Sequence, residues 1–259
     1  MKKYELTGET EEIGGKILHR IRALIDIPKH DVKAGDLGGW LETEGNLSHN
    51  GAAWVTDSAR VTDSACVTGS AWVTGSVCVT GLACVTGSAL VTGKACVTDS
   101  ACVTGSAWVT DEARVTGKAL VTGEARVTGS ALVTGKACVT DSARVTGKAL
   151  VTGEARVTGS ALVTGEARVT VNAWVRGNAR VMESSDCITI GAIGSRDDTT
   201  TFYRGTDGGI YVSCGCFSGS VDDFAAKVKA VHAGTKHEKT YLLAIELAKA
   251  QIGTAEEKR

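Results

Sequence analysis

The residues of this chain best suited to chemistry are two cysteines and two histidines near its C-terminal end. Cys214 and Cys216 flank one glycine in a stretch that alternates like a strand, which predicts both thiols on one side. His232 and His237 follow on either side of a helix break. Two thiolates and two imidazoles are a common zinc ligand set, although C-x-C is tighter than the usual C-x2-C. The alternative interpretation is a pair of buried strand cysteines.

The elements that position such residues are dominated by a six-residue repeat, Ala-x-Val-Thr-Gly-x. It runs from Ala53 to Val181 and contains 22 valines at six-residue intervals. Alternation places Ala and Val on one face of a short strand, with x and Thr on the other. Gly, or Asp in its place, then supplies a corner with positive φ. The unit therefore predicts short strands separated by corners.

The pattern of a small residue two positions before an aliphatic one resembles the hexapeptide pattern of left-handed parallel β-helices. In that architecture three hexads close one triangular coil of eighteen residues, and the resemblance alone implies the handedness. Two earlier hexads, around Leu41 and Leu47, raise the number to 24, or eight coils, with two extra residues near Ser48–Gly51. The predicted fold class is mainly β: a single-stranded left-handed parallel β-helix with an N-terminal β cap and a small C-terminal α+β domain.

Stacking at eighteen residues sorts the outward x residues onto three faces, two of which begin with apolar stripes. Exposed apolar stripes predict contact with a protein partner or a second copy of the chain, so a homo-oligomer is one expectation. The alternative is that the x position tolerates any side chain that suits a strand. The candidate interaction residues are Trp54, Trp72 and Trp108 on one face and Cys66, Cys84 and Cys102 on another.

A long internal copy bears on the choice between a chemical surface and a spacer. Residues 113–135 recur letter for letter at 143–165, an offset of thirty residues or five hexads. Because five is not a multiple of three, the copied x residues fall on different faces, while the inward Ala and Val are unaffected. The copying therefore favours a spacer over a surface with a fixed chemical pattern.

The ends of the chain depart from the repeat. Residues 1–34 predict two or three antiparallel strands that cap the open end of the coils. Residues 35–182 form the predicted β-helix, and residues 183–259 a module of three strands and two helices. Ser220 with Asp223 and Thr235 with Glu238 predict the helix starts.

The sequence "HRIRALIDIPKHDVKAGDLGGWLE", followed by "NLSHNGAAWV", closely resembles the N-terminal signature of the YdcK-like hexapeptide-repeat proteins. That family occurs in bacteria and in phage or prophage genomes, and the resemblance covers residues 1–182. It implies a left-handed β-helix, and it implies no catalytic residues that could be transferred position by position.

Hexapeptide acyltransferases share the β-helix and use a histidine general base, which makes an acyl-CoA-dependent transferase the rival function. The repeat contains no histidine, so the candidate is His49, in the two-residue insertion. Ladders of threonine leave a third alternative, an ice- or surface-binding β-helix. The x positions beside those threonines hold Arg, Trp and Cys rather than a second threonine, which counts against it.

Composition excludes several other classes. A net charge of −1 provides no basic field for nucleic acid or an anionic membrane surface, and no stretch is apolar enough to span a bilayer. No P-loop or dinucleotide glycine pattern is present, so no cofactor is predicted. Six of the nine cysteines share one repeat position with Leu, Arg and Trp, which indicates reduced thiols and a cytoplasmic protein. The sequence thus predicts a non-catalytic scaffold or spacer that carries a C-terminal interaction module.

Overall fold

The computed structural model describes residues 2–253. The chain is mainly β, with parallel strands stacked as a β-solenoid and a small C-terminal domain of two helices and an antiparallel sheet. It divides into two compact units, Met1–Lys136 and Ala137–Arg259. The predicted β-helix with coils of eighteen residues is confirmed; its left-handed winding stays a prediction.

The first unit begins with three longer strands, β1 (Tyr4–Ile13), β2 (Lys16–Ala23) and β3 (Leu37–Leu41), with 3-10 turns at Pro28–His30 and Glu44–Asn46. As expected for the cap, β1 pairs antiparallel with β2, and β2 with β3. Fourteen two-residue strands follow: β4 (Trp54–Val55), β5 (Arg60–Val61), β6 (Cys66–Val67), β7 (Trp72–Val73), β8 (Cys78–Val79), β9 (Cys84–Val85), β10 (Leu90–Val91), β11 (Cys96–Val97), β12 (Cys102–Val103), β13 (Trp108–Val109), β14 (Arg114–Val115), β15 (Leu120–Val121), β16 (Arg126–Val127) and β17 (Leu132–Val133).

Strand pairing in the first unit gives the length of a coil directly. Val55 pairs in parallel with Val73, eighteen residues later, and the same interval recurs along all three faces. Leu41 pairs with Val61, an interval of twenty. The two extra residues therefore lie between Leu47 and Val55, as the sequence predicted, and the hexads before them belong to the solenoid.

The interior of the coils is filled by alanine and valine. Every inward Ala and Val from Ala53 to Val181 is at most 1% exposed, as is Val77, which replaces an alanine. A β-branched side chain suits the pleated strand, and burying each valine contributes about 1.5–2 kcal/mol. The repeat therefore specifies the core at every hexad, whichever face the hexad lies on.

The backbone conformation of the corners explains why Gly or Asp occupies every one of them except position 171. The corner residue has positive φ, for example 71° at Gly105 and 60° at Asp99. Each corner aspartate is followed eighteen residues later by glycine, whose N–H donates to the carboxylate, as Gly117 does to Asp99 at 3.0 Å. An aspartate at a corner lacks the conformational freedom of glycine, but its carboxylate gains a hydrogen bond from the next coil. The same bond joins Asp57 to Gly75, Asp63 to Gly81, Asp111 to Gly129 and Asp141 to Gly159.

The N-terminal strands are bonded to the first coils through polar groups. Lys3 is buried, and its Nζ donates to the carbonyl oxygen of Ala53 at 2.6 Å. The hydroxyl of Tyr4 donates to the carbonyl oxygen of Leu47 at 2.9 Å. Arg60 on β5 makes a two-pronged ion pair with Glu11 on β1, at 2.7 and 3.2 Å. The bonds from Lys3 and Tyr4 satisfy backbone carbonyls at the start of the solenoid, and the ion pair joins side chains of the cap and the first coil.

Buried Lys3 predicts a specific dependence of stability on pH. Burial lowers the pKa of Lys3 from 10.5 to about 8. Between these values the unfolded chain holds a proton that the native chain has lost, so the free energy of unfolding rises with pH across this window. Relative to Lys3→Met, we expect wild type to gain up to about 2 kcal/mol from pH 8 to 10.5. Urea unfolding of both chains at several pH values measures the gain, and parallel curves would contradict it.

The second unit continues with two-residue strands and ends in the C-terminal domain. The short strands are β18 (Cys138–Val139), β19 (Arg144–Val145), β20 (Leu150–Val151), β21 (Arg156–Val157), β22 (Leu162–Val163), β23 (Arg168–Val169), β24 (Trp174–Val175) and β25 (Arg180–Val181). The C-terminal domain contains a 3-10 turn at Ser184–Asp186, strands β26 (Cys187–Ile193), β27 (Asp198–Arg204), β28 (Ile210–Cys214) and β29 (Phe217–Ser220), and helices α1 (Val221–His232) and α2 (Lys236–Ile252).

The C-terminal sheet has one strand more than the sequence predicted. Strands β26 to β29 pair antiparallel in chain order, and Phe217–Ser220 forms the fourth strand rather than a connection to the first helix. The chain reverses at Gly215, whose φ is +53°. Both predicted helix starts are confirmed: Ser220 accepts from the N–H of Asp223, and Thr235 from that of Glu238. The core between helices and sheet includes Phe202, Val212, Phe224, Ile245, Ala248 and Ile252.

One corner of the second unit breaks the Gly/Asp rule. Val171 has φ of 60°, a conformation in which its branched side chain is strained, and the side chain is 63% exposed. We expect Val171→Gly to stabilise the chain by about 1 kcal/mol, because relief of strain exceeds the entropy that glycine adds to the unfolded state. Urea unfolding, with Val171→Ala as the control that keeps a Cβ, measures the gain. A destabilised Val171→Gly chain would show that this corner is not strained.

Candidate functional site

A cleft of about 210 Å³ opens in the C-terminal domain beside the β28–β29 hairpin and both helices. Three aromatic rings line it: Phe217 and Phe224 have centroids 5.1 Å apart, and Phe224 and Tyr241 have centroids 5.4 Å apart. Arg196 and Lys227 add two positive charges to the same lining and Asp198 adds one negative charge, so basic groups are in excess. The cleft therefore combines an apolar surface with basic groups, which suits a ligand or partner segment that is apolar and carries negative charge.

The two helices position this lining through local rules. Because Ser220 fixes the start of α1, residues spaced by three and four along it, Phe224, Lys227 and Val231, share the face that lines the cleft. The side chain of Tyr241 on α2 packs closely against the backbone at Gly194. A Cβ at this position would lie 1.7 Å from the tyrosine oxygen, so only glycine leaves room for the ring. The position of Tyr241 therefore depends on a glycine in the β26–β27 turn.

The turn sequence "SRDDTTT" contributes to this cleft only in part. Arg196 and Asp198 line the cleft, as does Ser195. Thr200 and Thr201 lie on β27 and are buried, and the hydroxyl of Thr201 accepts from the N–H of Trp174. The first residues of this segment therefore line the cleft, and its last residues attach the sheet to the last coils.

Cys214 and Tyr241 form the polar pair inside the cleft. The sulfur of Cys214 lies 3.8 Å from the tyrosine oxygen and accepts a hydrogen bond from the Thr200 hydroxyl at 3.2 Å. Burial, followed by the bond to Cys214, raises the pKa of Tyr241 to about 12. The phenol is therefore neutral at physiological pH and acts as a hydrogen-bonding group rather than as a base.

The structure corrects the placement of Cys214 and Cys216. They do not share one face of a strand, because β28 ends at Cys214 and the Gly215–Cys216 turn reverses the chain into β29. Cys214, Cys216 and His232 all line the cleft. The rings of His232 and His237 are 5.9 Å apart. Within residues 2–253, no three or more His, Cys, Asp or Glu side chains form a group able to hold a metal ion, so the four zinc candidates are not assembled into a site.

His49 lies in the N-terminal cap and makes contacts that fix it there. Its ring stacks on Tyr4, with centroids 4.4 Å apart. Its Nδ1 accepts from the backbone N–H of Lys3 at 3.2 Å. A general base needs a ring nitrogen that is free to take a proton from the substrate. In His49, Nδ1 already accepts a hydrogen bond from a backbone N–H. The contacts of His49 are those of a residue that holds the cap.

The tryptophan stripe is largely covered by the chain itself, which corrects the expected exposure of two of its members. Trp54 is buried, with Tyr4 packed edge-on at 6.4 Å. Trp72 is half-buried against the ring of His30, 5.2 Å away. Trp108 is the exposed member, with the Arg126 guanidinium 4.6 Å from its ring. The stripe therefore provides the docking surface for the cap, and a role in contact with another chain stays a prediction for Trp108.

The cysteine stripe lies on a different face and is half-buried. Cys66, Cys84 and Cys102 pair in register across neighbouring coils, as the eighteen-residue stacking predicted. All nine cysteines are free. The threonine ladder near this stripe is bonded to itself: the hydroxyls of Thr68 and Thr86 are 2.9 Å apart. These hydroxyls therefore have partners within the protein, which does not favour an ice-binding plane.

Two arginines that were not predicted from the sequence stabilise the start of the C-terminal domain: Arg176 joins the last coils to the sheet, and Arg204 joins the sheet to the turn after the last coil. Arg176 donates to the Ser213 hydroxyl at 3.1 Å and lies over the Trp174 ring at 3.8 Å. Arg204 and Asp186 form a largely buried ion pair at 2.9 Å. Arg176 occupies a repeat position that holds threonine in nearly all of the remaining hexads. This departure from the repeat could have identified the arginine from the sequence alone. Arg204 lies in an ordinary strand sequence and gave none.

No family model matches this chain, and no curated protein matches its sequence. Among the described residues, no helix is long and apolar enough to cross a membrane.

Proposed function

We propose that this chain is a non-catalytic β-helical scaffold that presents its C-terminal domain as an interaction module. The observation that carries the proposal is the contrast between the two sides of the repeat. The inward positions are alanine or valine at every hexad and buried throughout, whereas the outward positions vary among Arg, Leu, Cys and Trp. Residues 50–231 also contain no histidine. A repeat of this kind maintains a structure and leaves recognition to other parts of the chain.

The attachment of the module to the last coils supports presentation in a defined orientation. The N–H of Trp174 donates to Thr201, and the N–H of Thr206 donates to the carbonyl oxygen of Asn178, both at 3.0 Å. Asp186, which forms a buried ion pair with Arg204 inside the module, also accepts from the N–H of Met182 at the end of the last coil, at 3.0 Å. These contacts hold the module on the coils instead of leaving it on a free linker.

The cleft of the module is the recognition surface in this proposal, and a protein segment is its partner. An apolar lining with aromatic residues and two basic side chains suits a segment with apolar and acidic residues. A phage or prophage origin belongs to the same proposal and is supported by the resemblance of the first 182 residues. A cytoplasmic location is supported by the nine free cysteines.

A pull-down with two matched variants tests the module. Val231 on α1 lines the cleft, whereas Leu247 on α2 lies outside its lining, and both are exposed apolar side chains. With the full chain as bait in a lysate of the host cell, Val231→Asp should lose the captured protein, and Leu247→Asp should keep it. Equal capture by wild type and both variants would contradict recognition through the cleft. Light scattering of the purified chain tests the possible homo-oligomer.

The rival acyltransferase makes a separate prediction. Acetyl-CoA titrated into the full chain should produce no saturable heat, and His49→Ala should behave as wild type does. Saturable binding that His49→Ala abolishes would overturn the non-catalytic proposal and support the transferase.

A further inference from the structure

Three thiols form a continuous column on one face of the first unit. Cys84 pairs in register with Cys66 on one side and with Cys102 on the other. The Cys66 thiol donates to the sulfur of Cys84 at 3.4 Å. All three side chains are half-buried and free. The central thiol thus has a potential bonding partner on each neighbouring coil.

The stacking of neighbouring coils places the Cα atoms of paired cysteines within the range that a disulfide allows. Neighbouring strands lie about 4.8 Å apart, inside the range of about 4.4–6.8 Å that the Cα atoms of a disulfide require. The sulfurs of Cys66 and Cys84, now 3.4 Å apart, must approach to about 2.05 Å. Rotation about χ1 supplies this movement, because the x side chains point outward and are not packed in the core.

We propose that Cys84 is the shared residue of a reversible disulfide that joins two neighbouring coils, formed by exchange with a low-molecular-weight disulfide such as oxidised glutathione. One thiolate of the column attacks the small disulfide, which forms a mixed disulfide and releases one reduced thiol. A neighbouring thiolate then attacks the protein sulfur of that mixed disulfide and releases the second reduced thiol. The protein loses two protons and two electrons, and the small disulfide gains them.

Cys78 and Cys96 also pair in register, on another face of the first unit. Cys138 and Cys187 have no cysteine in register and serve as internal comparisons. Cys138 occupies the same repeat position, but its paired residue on the next coil is Arg156, which cannot form a disulfide. Burial raises the pKa of Cys187 to about 12, which keeps it as an unreactive thiol. Burial also raises the pKa of Cys66 to about 11, so a mildly alkaline buffer is needed to provide thiolate for the exchange.

Peptide mapping of the full chain tests the proposal. The chain is incubated with oxidised glutathione at pH 8.5, alkylated and digested with trypsin. Cleavage after Arg60, Lys94 and Arg114 places Cys66 and Cys84 in one peptide and Cys102 in the next. A Cys66–Cys84 bond therefore lowers the mass of the first peptide by two hydrogens, and a Cys84–Cys102 bond links the two peptides. A Cys78→Ser chain in which Cys96 is also replaced by serine is used throughout, because Cys78 lies in the first peptide and Cys96 in the second.

Two substitutions distinguish the column from general oxidation. Cys84→Ser, or Cys84→Leu if the serine variant folds poorly, should abolish both bonds, since leucine occupies the same position in other hexads. Cys66→Ser should retain the linked pair of peptides, and Cys138 should form only the mixed disulfide with glutathione. Reduction with dithiothreitol should restore all thiols. Accumulation of glutathione on Cys84 in the chain with serine at positions 78 and 96, without either bond, would overturn the proposal.

Discussion

Replacing Val109 with aspartate is expected to prevent stable folding of the first unit, whereas the same change at the adjacent Trp108 should be tolerated. Val109 is fully buried, and it pairs with Val91 and Val127 on neighbouring coils. No side chain in the valine and alanine interior can pair with a carboxylate, so the expected loss is more than about 4 kcal/mol. Urea unfolding followed by circular dichroism measures it.

The control at Trp108 removes an exposed ring from the same strand. Its contact with Arg126 is worth about 0.5–1 kcal/mol, and an aspartate there would face the same arginine. We therefore expect Trp108→Asp to change the free energy of unfolding by less than about 1 kcal/mol. Equal destabilisation by the two variants would show that neighbouring residues do not alternate between core and surface.

Gly105→Ala is the second substitution expected to have a large effect, because the corner glycine is required both for its conformation and for space. Gly105 has φ of +71°, which costs an alanine about 1–2 kcal/mol. The added Cβ would also lie 2.8 Å from the backbone nitrogen of Gly123 on the next coil. The next coil must therefore shift locally to make room for the Cβ. We expect the free energy of unfolding to fall by about 3 kcal/mol in total, which urea unfolding measures.

Gly177 separates the two causes of that loss. It occupies the same repeat position with φ of +65°, but a Cβ there would meet no atom within 4 Å. Gly177→Ala should therefore show only the conformational cost, about 1–2 kcal/mol. If Gly105→Ala costs no more than Gly177→Ala, stacking of the corners on one another is not what selects glycine.

The sequence predicted the solenoid well because its cause is local. Each hexad contains an inward Ala and Val and a corner, so the core followed from six letters. The eighteen-residue interval, and with it the face of every x residue, followed from the resemblance to hexapeptide β-helices. The two extra residues before Val55 were also predictable, since an insertion shifts the valine spacing. The pairing of corner aspartates with a later glycine was visible in the sequence, but its physical reason required the hydrogen bond from the next coil.

The candidate site was predicted less well because it depends on contacts distant in sequence. Cys214 and Cys216 looked like neighbours on one strand, whereas the chain turns between them. Trp54 looked exposed because alternation places it outside the coils, but the cap covers that face and Tyr4 packs against it. Composition gave no indication that Arg196 and Lys227 would share a cleft. A local sequence pattern predicts the direction of a side chain, but it does not predict which distant part of the chain packs against that side chain.

The most direct test of the account is urea unfolding of a chain that lacks one whole coil, residues 113–130, beside a chain that lacks residues 113–121. Removing eighteen residues keeps the hexad phase and restacks Ala and Val on identical positions. Removing nine puts outward residues into the interior. We predict that the chain lacking residues 113–130 unfolds cooperatively near the wild-type midpoint. The chain lacking residues 113–121 should lose the folded first unit. Unfolding that is equally impaired in both, or equally preserved, would contradict a scaffold built from interchangeable eighteen-residue coils.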